Sequence, residues 1–231
     1  MRRYIIADIR GDLFLLQKLI ERIGPTYSDS LIFLGSYLGP GNESKGVVDY
    51  LINLRKTFPN MSFLKGCYEY MFGLCIESKP SWECQRLWGE MGGSRVFKSY
   101  ADDQKLIAMT DAGPRSVEIP LKIPASHIEF IAGDLFQWYE DDLFPIVACH
   151  AGGHPVLYGG KLETEQQIVF AENGWWKQEG RFIPDKTVVF SHVPFAHPFR
   201  GKGKLGIDLG AGIGGKLCAY EMVSDSFIIV R

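Results

Sequence analysis

The sequence predicts an α/β protein in which helices cover the faces of a β-sheet. Short β-branched and aromatic runs alternate with stretches of helical periodicity. Several of these runs end abruptly in glycine-bearing loops, as buried strands do at the edge of a sheet. The chain has 231 residues, of which 46% are hydrophobic, enough for one sizeable core. We therefore expect residues 1–231 to form a single domain.

The first third of the chain predicts three buried strands, each followed by a helix. The strands are indicated by the runs RRYIIA (2–7), LIFLG (31–35) and MSFLKG (61–66). The apolar positions of the first helix step by three and four residues, which is helical spacing: Leu13, Leu16, Ile20 and Ile23. Asp12 precedes this helix and is placed to cap it. The second helix begins at Ser44, and the third lies in the stretch EYMFGLCIE.

The rest of the chain predicts an insertion followed by more strands. Residues 78–126 contain two tryptophans and several glycines but little strand pattern, which favours a mostly helical insertion. Strand patterns return in three later segments: 135–153, 186–194 and 216–231. Asp141 and Asp142 suit a hairpin turn in the first of these segments, and Ser224 and Asp225 suit a turn in the last.

Composition excludes several classes of partner. The formal net charge is −2, from 25 basic and 27 acidic residues, so no strong field attracts nucleic acid or an anionic membrane. The five cysteines are irregularly spaced and form no C-x-x-C motif, which favours a reducing compartment. We expect a cytoplasmic protein that binds neither nucleic acid nor membrane.

Four residues of metal-ligating types follow predicted strands: Asp8, Cys67, His150 and His192. In open α/β sheets, the loops at the carboxyl ends of strands gather around one crevice. A single histidine would more often be a scattered polar residue. Four such residues on four strand-end loops instead indicate a shared site, and spacing alone leaves their convergence open.

Five short motifs occur in order along nearly the whole chain. They read ADIRG (7–11), GSYLGPG (35–41), GCYE (66–69), HAG (150–152) and SHVP (191–194). In order and wording the chain resembles the calcineurin-like metallophosphoesterases, in particular the bacterial serine/threonine protein phosphatases and their diadenosine tetraphosphatase relatives. The corresponding family motifs are G-D-x-H-G, G-D-x-x-D-R-G, G-N-H-E, H-A-G and G-H-T-P.

The resemblance implies a β-sandwich flanked by helices, carrying the helical insertion around 78–126. In this family two metal ions lie at one rim of the sandwich and share a bridging aspartate. The metals polarise the phosphoryl group and generate a hydroxide nucleophile, while a histidine protonates the leaving oxygen. The family is one of metal-dependent phosphoric ester hydrolases.

Matched to the family motifs, the chain keeps three of the six ligand positions: Asp8, His150 and His192. Arg10 stands where the first metal site has a histidine. Ser36 replaces the bridging aspartate, while Gly39 and Pro40 replace the Asp-Arg pair that follows it.

The third motif departs from the family in the same way. Cys67 replaces the ligand asparagine, and Tyr68 occupies the position of the catalytic histidine. Glu69 is retained without the histidine that it would orient. The resemblance therefore implies that both the metal bridge and the general acid are lost.

Electrostatics decides which loss matters most. Two dications a few ångströms apart repel each other, and the shared carboxylate offsets this repulsion. The neutral hydroxyl of Ser36 cannot do so, and the guanidinium of Arg10 adds a permanent positive charge. We predict that the dinuclear centre does not form and that Arg10 pairs with Asp8 in place of a metal.

The leading hypothesis is a catalytically impaired phosphatase-fold protein, a pseudoenzyme that acts as an anion-binding or regulatory module without a cofactor. Its predicted anion pocket consists of Asp8, Arg10, Ser36, Cys67, Tyr68, His150 and His192. The sequence leaves the ligand open between a phosphorylated protein and a nucleotide-like molecule. The sequence also leaves open whether the protein is an enzyme.

Two alternatives retain catalysis. In the first, Cys67, His150 and His192 bind one zinc ion, with Asp8 or His154 completing the set and Tyr68 as a weak acid. In the second, the protein is an ordinary metal-dependent phosphatase with carboxylates supplied from elsewhere. Candidates of the right type are Asp12, Asp134, Asp141 and Asp142. GAGIGG (210–215) matches a dinucleotide-binding pattern, but no helix is predicted after it, which favours a glycine-rich turn.

Overall fold

The computed structural model describes residues 1–76, 82–101, 123–133, 135–152, 164–170 and 174–231. Much of the insertion predicted around 78–126 lies outside the described residues, as do Asp134 and His154.

Within these residues the chain forms ten strands and seven α-helices. The strands are β1 (Arg3–Ile6), β2 (Ser30–Phe33), β3 (Met61–Phe63), β4 (Trp138–Glu140), β5 (Ile146–Cys149), β6 (Thr187–Phe190), β7 (Phe199–Gly201), β8 (Lys204–Gly206), β9 (Leu217–Glu221) and β10 (Ser226–Val230). The helices are α1 (Leu13–Ile23), α2 (Ser44–Thr57), α3 (Cys67–Ile76), α4 (Trp82–Glu90), α5 (Gly93–Tyr100), α6 (Ala125–Ala132) and α7 (Glu165–Val169). A short 3₁₀ helix covers Trp175–Lys177.

The strands form two five-stranded mixed sheets. The order in the first sheet is β10-β9-β1-β2-β3, with β1, β2 and β3 parallel and β9 antiparallel to β1. The order in the second sheet is β4-β5-β6-β8-β7, with β5, β6 and β8 parallel. Parallel strands end at the same edge of a sheet, so each sheet presents three carboxyl-terminal strand ends along one rim.

A hydrophobic core lies between the two sheets. Ile5 and Ile32 of the first sheet belong to the same cluster of buried side chains as Ala148 and Val189 of the second. The fold is therefore a β-sandwich, as the motifs predicted, and α1 packs outside it against β9 and β10. No helix among the described residues is long and apolar enough to cross a membrane.

Most described elements lie where the sequence predicted them. Asp12 caps α1 by accepting a hydrogen bond from the backbone N–H of Leu15 at 3.0 Å. Both predicted hairpins are present, β4 with β5 and β9 with β10. The hairpin of β7 and β8 was not predicted, because FRGKGKLG (199–206) has three glycines and three basic residues and almost no apolar alternation.

The described part of the insertion is helical, as expected. It contains α4 and α5, and α6 begins at its end; these three helices pack with α3 around a second hydrophobic cluster. Phe72 of α3 and Trp88 of α4 lie with their ring centroids 6.3 Å apart, and Tyr100 of α5 packs against Phe72 at 6.2 Å. The insertion therefore covers the side of the sandwich from which α3 emerges.

Candidate functional site

Strand ends from both sheets bring polar residues together at one rim. The first sheet contributes Asp8 and Arg10 after β1, Ser36 after β2, and Cys67 and Tyr68 where α3 follows β3. The second sheet contributes His150 after β5, His192 after β6 and Asp208 after β8. All seven site residues predicted from the sequence thus lie on strand-end segments, and Asp208 joins them as an eighth.

Arg10 links carboxylates that come from both sheets. Its Nη2 lies 2.9 Å from Asp8 Oδ2. Nη1 donates to Asp208 Oδ1 at 3.0 Å, and Nη2 contacts Asp208 Oδ2. Nη2 also donates to the backbone carbonyl of His192 at 3.1 Å. The expected pair between Arg10 and Asp8 is therefore present, and Asp208 is an additional partner.

Asp8 is held by ionic contacts. Its side chain is fully buried, and neither carboxylate oxygen forms a hydrogen bond of good geometry within the described residues. Its neighbours are Arg10 and the Nδ1 of His150, which lies 3.3 Å from Oδ1. Burial opposes ionisation of Asp8, but His150 and Arg10 outweigh it and hold the pKa of Asp8 well below its usual range.

Glu69 fixes the loop that carries Ser36. The buried carboxylate accepts hydrogen bonds from the backbone N–H groups of Ser36 and Tyr37, both at 2.8 Å, and of Leu38 at 3.1 Å. A fourth donor is the N–H of Gly66 at 3.0 Å. Glu69, the last residue of the motif GCYE, therefore organises the loop backbone.

The glycine-rich segment 210–215 packs directly on Arg10. Gly212 has φ of +76°, and a Cβ placed on it would lie 2.6 Å from Arg10 Cβ. Only glycine allows both this backbone conformation and this close approach. The segment is a run of turns followed by β9, which confirms the predicted glycine-rich turn.

Cys67, His150 and His192 form a compact group beside the ion-pair cluster. Each offers one potential ligand atom, and these atoms lie within 4.8 Å of one another. Cys67 and His150 are buried, while His192 is partly exposed. The three residues proposed from the sequence as a zinc set are thus brought together by the fold.

His150 is oriented by contacts on both ring nitrogens. Nδ1 lies 2.9 Å from the carbonyl oxygen of Leu34, and Nε2 accepts from the backbone N–H of Cys67 at 3.2 Å. Burial opposes a charge on His150 while Asp8 favours one, and the net effect raises the pKa of His150. A proton on Nε2 would nevertheless face the Cys67 N–H. The geometry therefore fits the neutral imidazole protonated on Nδ1.

His192 presents a neutral imidazole. Burial lowers the pKa of His192 below its usual value. The two imidazole centroids are 5.1 Å apart. A neutral ring is the form that binds a metal ion.

The backbone at the rim is strained. Among the described residues, five non-glycine residues have positive φ, and three of them are Arg10 (50°), Ser36 (51°) and His192 (69°). Each such conformation costs on the order of 1–3 kcal/mol, and such residues concentrate at functional sites. The strain therefore supports a functional use of this rim.

Tyr68 is poorly placed to act as an acid. Its hydroxyl donates to the backbone carbonyl of Met91 at 2.7 Å. Its ring packs edge-on against Trp88, with the centroids 6.1 Å apart. Burial raises the pKa of Tyr68 above its usual value. The proton of Tyr68 is therefore both engaged and harder to release than in water.

The residues at the rim do not fit a two-metal centre. An ion bound to Asp8 would compete with the guanidinium of Arg10, which already lies in ionic contact with that carboxylate. Ser36 offers only a neutral hydroxyl oxygen, Oγ, which lies 3.7 Å from Cys67 Sγ. Cys67, His150 and His192 do fit a single zinc ion by donor chemistry, since one thiolate and two imidazoles are common zinc ligands.

A cavity of about 650 Å³ adjoins the site. Its lining includes Tyr68, Glu90, Met91, Arg95, Gly212 and Ile213. The cavity lies between the insertion and the glycine-rich segment. Its lining therefore includes Met91, which contacts Tyr68, and Gly212, which packs on Arg10.

One residue of the site, Asp208, was not assigned from the sequence. Asp208 follows a strand that was not predicted, although its stretch IDLGAGIGGKL resembles the family's own tail and was a usable signal. The carboxylates considered instead have other partners. Asp12 caps α1, and Asp141 and Asp142 both bind Arg3.

Comparison with known proteins tests the predicted fold. No family model matches the chain. A solved structure of a putative diadenosine tetraphosphatase aligns with 99% of this chain and 92% of its own, at 18% identity and a TM-score of 0.62. A metallophosphoesterase from Sphaerobacter thermophilus aligns with 100% of this chain and 89% of its own, at 15% identity and a TM-score of 0.52.

A third solved structure has the same architecture. A protein serine/threonine phosphatase from Saccharomyces cerevisiae aligns with 100% of this chain and 79% of its own, at 13% identity and a TM-score of 0.56. At these identities the likeness concerns the fold. This chain therefore has the fold of the calcineurin-like metallophosphoesterases, as its motifs predicted.

Proposed function

We propose that this protein binds a phosphate-bearing ligand as a regulatory module and does not hydrolyse it by the two-metal mechanism of the family it resembles. The observation that carries the proposal is the ionic contact of one buried guanidinium, that of Arg10, with both Asp8 and Asp208. Arg10 stands where the resemblance implies a metal-binding histidine.

The charge balance of the rim disfavours a pair of ions. At an effective dielectric constant of 20, two unit charges 4 Å apart interact by about 4 kcal/mol, so a dication beside the Arg10 guanidinium meets about twice that repulsion. Binding would also break the contacts of Asp8 and Asp208 with Arg10. Ser36 provides no charge to offset these losses.

The adjoining cavity supports ligand binding. Arg95 lines it, is exposed, and donates through Nη1 to the carbonyl oxygen of Pro40 at 2.8 Å. Arg95 forms no ion pair with a carboxylate elsewhere in the described chain, whereas Glu90 in the same lining is bound by Arg86 at 2.5 Å. An anion entering the cavity would therefore meet Arg95, while the guanidinium of Arg10 is already shared by two carboxylates.

Metal analysis and an activity assay test the loss of two-metal chemistry. Protein purified without chelators should contain no pair of metal ions and should not hydrolyse an aryl phosphate in the presence of manganese. The variant combining Arg10→His, Ser36→Asp, Cys67→Asn and Tyr68→His should gain metal and some turnover. If this variant folds but stays metal-free, the site has been assigned to the wrong residues.

A titration tests the binding role. Isothermal titration calorimetry with pyrophosphate should detect binding that Arg95→Ala weakens roughly tenfold or more, because a hydrogen bond to a charged group contributes about 1.5–3 kcal/mol. Arg22→Ala removes an exposed arginine on α1 and serves as the matched control. Equal affinities in both variants would exclude Arg95 as the anion contact.

A second candidate function is a hydrolase with one zinc ion. The observation in its favour is the grouping of the potential ligand atoms of Cys67, His150 and His192 within 4.8 Å. Zinc bound there would polarise a substrate and lower the pKa of bound water. The contact of His150 Nδ1 with the Leu34 carbonyl would hold the tautomer whose lone pair is on Nε2, and zinc would have to replace the hydrogen bond that Nε2 accepts from the Cys67 N–H.

Zinc content separates the two candidates. One equivalent of zinc that Cys67→Ser abolishes, together with phosphoesterase turnover lost in the same variant, would support the hydrolase. Cys218→Ala is the control, because this cysteine is buried in the sandwich core. A protein that binds no zinc leaves the binding module as the better account.

A further inference from the structure

A pair of cysteines lies outside the site, on the helical hairpin formed by α3 and α4. Cys75 is near the end of α3 and Cys84 near the start of α4, nine positions apart. At the other end of the hairpin, the hydroxyl of Tyr68 donates to the carbonyl of Met91. The two helices therefore run antiparallel, and each end of the hairpin has its own cross-contact.

The two thiols are close enough for covalent bonding after a small movement. Their Sγ atoms lie 3.3 Å apart, compared with about 2.05 Å in a disulfide. Side-chain rotation near the helix ends can supply a shift of this size. Both residues are partly exposed, whereas the other three cysteines, Cys67, Cys149 and Cys218, are buried.

We propose that Cys75 and Cys84 form a reversible disulfide that serves as a redox-controlled clamp on the cavity wall. The oxidant is a small-molecule disulfide such as oxidised glutathione. One cysteine thiolate attacks the oxidant, forms a mixed disulfide and releases one glutathione thiolate. The second cysteine thiolate then displaces the other glutathione. The two protons lost by the cysteines end on the two glutathione thiols.

The clamp acts on the cavity because both helices contribute to its lining. Tyr68 belongs to α3, Glu90 ends α4, and Met91 follows it directly. Oxidation would fix the outer end of the hairpin while the hydrogen bond between Tyr68 and Met91 holds the inner end. The wall would then lose freedom to open, which restricts access to the cavity.

The chemistry also predicts how fast the clamp closes. Burial and the adjacent Cys84 thiol raise the pKa of Cys75. Thiolates, not thiols, carry out the exchange, so closure should be slow near neutral pH and should accelerate as the pH rises.

Peptide mapping tests the disulfide directly and needs neither ligand nor turnover. The full chain is incubated with oxidised glutathione in mildly alkaline buffer, remaining thiols are alkylated, and the protein is cleaved after glutamate. Cys75 then lies in fragment 70–77, Cys84 in fragment 84–90, and Cys67 in fragment 44–69. A cross-link between the first two fragments is expected, with a loss of about 2 Da from the intact monomer.

Single variants locate the bond. Cys75→Ser and Cys84→Ser should each abolish the cross-link, and Cys218→Ala should retain it. The proposal is overturned if both thiols of the unmodified protein are recovered alkylated, if they stop at mixed disulfides with glutathione, or if the cross-link joins two molecules.

Hydrogen exchange tests the consequence for the wall. Oxidised protein should exchange the backbone amides of α4 roughly tenfold more slowly than reduced protein, while β1 and β5 should be unchanged. Equal exchange in α4 before and after oxidation would show that the bond does not restrain the wall and would refute the clamp.

Discussion

Arg10 and Asp208 meet through two contacts, one from each terminal guanidinium nitrogen, across a separation of 198 residues. Arg10 follows β1 in the first sheet, and Asp208 follows β8 in the second. Their ion pair therefore joins the two halves of the sandwich at the rim. A two-point arginine–carboxylate pair fixes the orientation of both groups as well as their separation.

Arg10→Met should destabilise the protein strongly. It leaves the buried carboxylates of Asp8 and Asp208 without their shared cation, and breaking a buried ion pair on one side costs about 3–5 kcal/mol. Urea unfolding should show this loss. Protonation neutralises an unpaired carboxylate and removes the cost of burying its charge. The loss of unfolding free energy should therefore be larger at pH 8 than at pH 5.

Two variants show whether charge or packing is responsible. Arg22→Met removes an exposed arginine on α1 and should change the unfolding free energy by less than about 0.5 kcal/mol. Combining Arg10→Met with Asp208→Asn should recover part of the stability. Equal destabilisation by Arg10→Met at both pH values would assign the effect to lost packing.

Glu69→Gln should unfold at a lower urea concentration than the parent protein. The carboxylate accepts hydrogen bonds from four backbone N–H groups. If the side-chain amide nitrogen of glutamine faced any of these groups, two hydrogen-bond donors would point at each other. Leaving a buried donor unsatisfied costs about 1–3 kcal/mol. The same change at exposed Glu21 should be nearly neutral. A stable Glu69→Gln protein would mean that the loop around Ser36 is held by other contacts.

Much of the fold could be predicted because its determinants are local. Short buried apolar runs predicted β1, β2 and β3, and Asp12 marked the start of α1. The hairpin of β7 and β8 lacks such a pattern, since it depends on pairing with β6 rather than on its own sequence. Because this hairpin was not predicted, Asp208, which enters the site from the end of β8, was not predicted either.

The site could be predicted only in part, because motif positions name residues without giving their contacts. The pairing of Arg10 with Asp8 follows from placing a cation beside a retained carboxylate. The four hydrogen bonds of Glu69 depend on the folded path of the loop at 36–38, which no short pattern encodes. In the same way, burial and the hydrogen bond to the Met91 carbonyl determine how readily the Tyr68 hydroxyl releases its proton.

Acid should destabilise the protein partly through Asp29. This buried carboxylate accepts from the backbone N–H of Arg2 at 2.7 Å and of Thr26 at 2.8 Å, and it pairs with the Arg2 guanidinium. Burial opposes ionisation, yet these donors lower the pKa of Asp29 below its usual value. Since the folded pKa is depressed, its stabilisation is complete above the unfolded pKa of about 4 and is lost as the pH falls further.

Unfolding free energies between pH 6 and pH 2 measure this contribution. Asp29→Asn should be less stable than the parent at pH 6 and should lose less stability on acidification. Asp185→Asn changes an exposed aspartate and should keep the parent's pH dependence. An unaltered pH dependence in Asp29→Asn would place the acid sensitivity at other carboxylates.

The glycine-rich segment offers a matched pair of substitutions. Gly212 and Gly214 both have positive φ, +76° and +88°, so alanine is strained at either position. A Cβ on Gly212 would also lie 2.6 Å from Arg10 Cβ, whereas a Cβ on Gly214 would meet no atom within 4 Å. Overpacking costs about 1–3 kcal/mol, so Gly212→Ala should be less stable than Gly214→Ala by about that amount. Thermal unfolding of both variants measures the difference, and equal stabilities would mean that this segment does not press on Arg10 in solution.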